Sequence, residues 1–105
     1  GSTQILGVAQ SATSTSPDVN TAPTATLGAT PLRPVVAILA HGGATIVEPS
    51  VPSGWTKIAW QNQSGTYTKA LGIYYNNTPT TSISFTVPGD LTSGGSVVQL
   101  VELNM

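Results

Sequence analysis

The chain has 105 residues, 39% of them apolar and 7% charged, enough for one hydrophobic core and too few for two ordinary domains. Arg33, Lys57 and Lys69 are its permanent cations and the formal net charge is -1, so there is no basic stripe to neutralise a nucleic-acid backbone. The longest apolar block, Val35 to Ala40, falls far short of the ~18 residues of a membrane-spanning helix, and the absence of Cys excludes a disulfide framework and thiolate metal sites.

Gly1-Ser2 reads as the scar of a removed purification tag, which leaves residues 3–105 as one domain. A first strand is expected at Gln4 to Ala9. Residues 11–34 are rich in Ser, Thr and Pro, and Pro17, Pro23, Pro31 and Pro34 each lack a backbone donor. That composition excludes a central strand and suits an ordered loop with an edge strand, including a short piece near Thr24 to Leu27. Val35 to Ala40 is a nearly continuous apolar run, as in a central strand covered on both faces or lying at a subunit contact. Gly42-Gly43 reads as the turn that ends it.

Pro52-Ser53-Gly54 is a second turn, placed to tip Trp55 beneath a sheet, and a strand over Trp55 to Trp60 follows. Leu71, Ile73 and Tyr75 alternate with Ala70, Gly72 and Tyr74, so a strand is predicted with Leu71, Ile73 and Tyr75 inward and Tyr74 on the opposite, solvent face. Asn76-Asn77-Thr78-Pro79 reads as a connection. Ile83, Phe85 and Val87 alternate with Ser and Thr in a half-buried strand; Gly94-Gly95 is a turn, and Val97 to Leu103 is a second central strand. The pattern predicts an all-β fold, a single antiparallel β-sandwich or jelly-roll-like domain of about seven or eight strands.

Residues with reactive side chains are few. His41 is the sole His, and Asp18, Glu48, Asp90 and Glu102 are the acids, none in a motif with a nucleophile. No His cluster or acidic loop offers a metal site, and neither Gly-Gly pair continues into a phosphate-binding loop. The reading is a protein without catalytic, cofactor or metal residues. Asn62-Gln63-Ser64 and Asn76-Asn77-Thr78 match the glycosylation sequon, a match that arises easily in an Asn- and Thr-rich chain. The candidate ligand or partner surface consists of Trp60, Gln61, Asn62, Tyr67, Tyr74 and Asn76, because exposed rings beside amides suit either sugar stacking or a protein contact.

The order of these pieces, from the buried strand Val35 to Ala40 through Gly42-Gly43, Pro52 to Thr56 (Pro-x-Gly-Trp-Thr), Tyr74-Tyr75, Ser82 to Thr86 and Gly94 to Leu103, resembles a β-sandwich domain that recurs in bacteriophage virion proteins and bacterial surface proteins. The resemblance covers roughly Ile5 to Leu103 and implies a non-enzymatic structural role, as a capsid decoration protein or otherwise a tail or fibre module. The implied partners are capsid or tail proteins or further copies of the chain, with a homo-trimer as one arrangement, and the implied location is the virion surface or a bacterial cell surface. The alternative is a carbohydrate- or host-receptor-binding module that uses the candidate rings on a glycan. Neither reading involves nucleic acid or membrane insertion.

Overall fold

The computed structural model describes residues 7–16, 22–43, 46–63, 68–86 and 94–104. Among them run seven strands: β1 (Gly7–Ser16), β2 (Thr24–Thr26), β3 (Val35–Gly43), β4 (Thr56–Gln63), β5 (Thr68–Asn76), β6 (Ser82–Ser84) and β7 (Gly94–Asn104). They form an antiparallel five-stranded sheet in the order β1-β7-β3-β5-β4 and a two-stranded sheet of β2 and β6. The fold is all-β and consistent with a sandwich of unequal layers. The two apolar runs become the neighbours β3 and β7, as central strands should.

Side chains alternate across a strand, so each residue of β3 faces one layer or the other. Val35, Ala37 and Leu39 are buried, and Val98 and Leu100 of β7 join them on the same face. Ala25 and Ile83 from the small sheet, with Leu27, Trp55 and Phe85 from adjoining segments, close this core. Thr24 Oγ1 donates to Ser84 Oγ at 2.8 Å and Thr26 Oγ1 to Ser82 Oγ at 3.3 Å, so directly opposed hydroxyls tie β2 to β6 outside the core. The Pro52 carbonyl accepts from the Trp55 N–H at 3.1 Å and Gly54 has φ of 86°, the turn geometry that sends the indole inward.

Several expectations need correction. Residues 4–6 and Val87 lie outside the described residues. The first strand runs on to Ser16, because its Ser- and Thr-rich stretch is an edge that pairs with β7 on one side and needs no apolar outer neighbour. Gly42-Gly43 and Gly94-Gly95 are ladder residues of β3 and β7, not turns, and they pair with each other. A Cβ on Gly94, where φ is 131°, would lie 2.0 Å from the Gly42 carbonyl oxygen, so glycine is what lets the backbones meet there.

The largest correction concerns β5. Tyr74 is wholly buried and Leu71 is 45% exposed, the reverse of the predicted facing. A Cβ on Gly72 would come within 2.7 Å of the Tyr74 ring, so the ring lies folded over the bare backbone of Gly72. Phe85 packs against it with ring centroids 4.9 Å apart at 55°, and Trp60 of β4, opposite Gly72, packs against the same cluster. Small Ala70 and Gly72 make room for aromatics that enter from elsewhere.

At the opposite end of the inner face, the buried carboxylate of Glu102 organises the segment that leads into β3. It accepts from Gln10 Nε2 at 2.7 Å and from the backbone N–H groups of Leu32 at 2.8 Å and Arg33 at 3.1 Å. Gln10 also donates to the Ala29 carbonyl at 3.0 Å, so the chain that crosses this end is held to both β1 and β7. The Gln10 amide first, then the Leu32 N–H, hold the Glu102 carboxyl below its ordinary value despite its burial.

Three outcomes follow from this packing. A carboxylate with a lowered pKa stabilises the fold above its unfolded-state value, near 4.5, and that contribution is lost as pH falls through the lower folded-state value. Glu102→Gln is therefore expected to lower stability at neutral pH and to flatten the loss below pH 4.5, as read from denaturant midpoints across a pH series. An unchanged acid slope would contradict this role. Gly72→Ala should cost about 1–3 kcal/mol because the Tyr74 ring must move within a packed core. Tyr74→Phe, which removes a buried hydroxyl without a partner among the described residues, should be neutral or slightly stabilising by the same measurement.

Candidate functional site

The six residues singled out from the sequence do not assemble into one platform. Gln61 and Asn62 are exposed on the edge strand β4, and Trp60 beside them is half-buried with its ring committed to the core. Tyr67 lies outside the described residues. Tyr74 is fully buried and offers no ring to a ligand, a correction that follows from the reversed facing of β5. Asn76 is buried as well; its Nδ2 donates to Thr80 Oγ1 at 2.9 Å and its Oδ1 accepts from the Thr78 N–H at 3.0 Å, so it builds the turn after β5.

His41 sits on the inner face near the end of β3, in register with Ser96 of β7 and Ala70 of β5. It is 6% exposed, and neither its ring nitrogens nor the Ser96 hydroxyl has a partner among the described residues. A shallow depression of about 450 Å³ at this end of the sheet is lined by His41 and Ser96 together with Ala40, Gly42, Lys69 and Val97, among others, with no carboxylate among the described lining residues. Both ring nitrogens are sealed from solvent.

Burial lowers the His41 pKa from 6.5 because the imidazolium loses its hydration. The folded state thus binds the proton less well than the unfolded chain, and stability falls as pH drops below 6.5. In an NMR titration His41 should show a midpoint below 6.5, and His41→Gln should remove the part of the stability loss that begins there. A midpoint at or above the ordinary value would contradict the sealed, uncharged ring.

The surface with a clear physical character is the outer face of the five-stranded sheet, away from β2 and β6. Register places its residues in transverse rows: Ser11, Val101, Val36, Tyr75 and Thr56; then Thr13, Gln99, Ile38, Ile73 and Ala59; then Thr15, Val97, Ala40, Leu71 and Gln61. The three central strands supply apolar side chains at nearly every position, while β1 contributes Ser and Thr and β4 contributes Thr and Gln. Leu71 is 45% and Val97 36% exposed, and none of these residues belongs to the buried core cluster. The next row ends the face with Gly95, Gly42, Lys69 and Gln63, and Lys69 is the only charge on it among the described residues.

Sequence reasoning missed Leu71, Ile73 and Tyr75 as surface residues because it gave them to the core. The available signal was the unbroken apolar runs of β3 and β7, which ask for cover on both faces when β2 and β6 can cover only one. Comparison with family models, with curated proteins and with solved structures found no match.

Proposed function

We propose that this chain is a non-enzymatic structural protein of a virion, a capsid decoration protein or otherwise a tail or fibre module, and that it works through protein contacts on the outer face of its five-stranded sheet. The observation that carries the contact role is the composition of that face: an apolar centre on β3, β5 and β7, uncharged Ser, Thr and Gln at its rim, and Lys69 alone at one end. Interfaces share this anatomy, with charges depleted from the centre and a polar rim. A contiguous apolar patch of this kind on a small domain marks an interaction site. The virion setting rests on the sequence resemblance, and it agrees with a surface so poor in ions that association needs little desolvation of charge.

The two edges differ in what they add. On β4 the register slips between Lys57 and Ala59, and Lys57, paired with Glu48 at 2.5 Å, further blunts the edge against strand pairing. On β1 the stretch from Ser11 to Thr15 pairs in unbroken register with β7 and carries neither charge nor Pro, so its other side can accept another strand. The location that follows from this reading is a virion surface, or a bacterial cell surface if the module belongs to an adhesin.

The test is co-sedimentation of the purified protein with tailed-phage capsid shells stripped of their outer proteins, beside a glycan array. Saturable binding to shells, reduced at least about tenfold by Leu71→Lys at full fold stability, is the expected result. Absence of shell binding, or shell binding untouched by Leu71→Lys, would overturn the outer-face contact, and glycan binding lost in Gln61→Ala/Asn62→Ala at full fold stability would replace this reading with the carbohydrate alternative.

A further inference from the structure

Building on the assembly role just proposed, we infer that the occupant of the outer face is a second copy of this chain, packed sheet to sheet across a two-fold axis that runs through the row of Ile38. The size is right. Nine residues of β3 extend about 30 Å and five strands span about 24 Å, giving a face of roughly 700 Å² against the ~800 Å² that each partner buries in a standard interface.

Charge selects a copy over an unlike chain. A foreign partner is ordinarily chosen and steered by complementary charge, and this face presents none across its three apolar rows. With a formal net charge of -1 on the whole chain, two copies meet with almost no repulsion.

The pattern of side chains places the axis. Rotation about a line between the sheets, perpendicular to the strands and along the Ile38 row, lays each strand over its own copy in reverse and exchanges the rows on either side. Tyr75 then meets Leu71, Val36 meets the small Ala40, and Val101 meets Val97, so large side chains lie over smaller or equal ones. Gln99, the one amide in the apolar centre, meets the other Gln99, and because an amide both donates and accepts the two exchange hydrogen bonds, while the Tyr75 hydroxyl already donates to Asn77 Oδ1 at 2.9 Å. Rim hydroxyls and amides lie over rim hydroxyls and amides.

A flat patch centred on the middle strand has this closed solution and no equivalent around a three-fold axis, where each face would need a different complementary patch. The exposed apolar side chains of Leu32, Val47 and Val51 are separate loop residues and make no such patch. A two-fold pair therefore takes the place of the trimer expected from the sequence. The pair leaves the Ser11 to Thr15 edge of each β1 uncovered among the described residues, which is where contacts to a larger assembly would then form.

Sedimentation velocity and light scattering of the intact protein, up to on the order of 100 µM, test this directly. The expected mass is twice 10.7 kDa for the parent and 10.7 kDa for Leu71→Lys/Val97→Lys, with dissociation strengthened at least ~100-fold and the thermal unfolding midpoint of the variant monomer retained. Because the chain has no Cys, Ile38→Cys offers a single thiol at the axis, and a short bismaleimide should convert it to a covalent dimer, whereas Thr26→Cys on the small sheet should stay monomeric. If the double variant fails to fold, the Ile38→Cys and Thr26→Cys pair decides the question. A monomeric parent at the highest concentration, a trimer, or equal cross-linking at both positions would overturn the pairing. Such a failure is separate from failure of the assembly role, which falls if the parent protein shows no saturable binding to capsid shells.

Discussion

The ring of Tyr74 occupies the volume that any side chain at Gly72 would need, and because successive residues of a strand point to opposite faces, that contact orients the whole of β5. With Tyr74 inward, Ala70 and Asn76 turn inward with it, and Leu71, Ile73 and Tyr75 turn out. Phe85 packs beside the ring and Trp60 against the same cluster, so the thin β2–β6 layer can close a core that its short strands alone would leave open. The ring contributes much of the sandwich's thickness, and the bare backbone of Gly72 is the space into which it fits.

The inner face changes character along its length. At one end Glu102 is buried with Gln10, Leu32 and Arg33 as donors, so a charge out of water is compensated and the segment before β3 is pinned. At the other end His41 and Ser96 are buried without partners among the described residues, and the histidine answers by staying neutral. Between them the rows are apolar or aromatic. The first end is a well-satisfied anchor whereas the second carries an unmet polar pair, so acid acts on the two through different groups: protonation removes the charge that organises one and imposes a charge on the other.

Sparse charge links the fold to its surface. A domain with a charged exterior keeps its sheets apart from their neighbours, but here the outer face is apolar at its centre and polar at its rim with Lys69 at one end, and the edge strands carry hydroxyls on β1 and mainly amides and apolar groups beside Lys57 on β4. Burying such a surface releases water from apolar area and displaces no ions from their hydration, so the gain on association is little reduced by desolvation. That balance suits the protein-contact role proposed for this face.

The all-β class, the central place of Val35 to Ala40 and Val97 to Leu103, the inward Trp55 and the edge nature of the Ser/Thr-rich segment were legible in the sequence, because each depends on local periodicity, unbroken apolar runs or turn chemistry. The same local signals misplaced Tyr74 and Asn76 on a ligand surface and read both glycine pairs as turns. Alternation reveals that a strand has two faces without telling which one meets the core. Only the tertiary structure decided that, through Tyr74 over Gly72 and the close approach of Gly42 to Gly94, since space between strands depends on residues far apart in the chain.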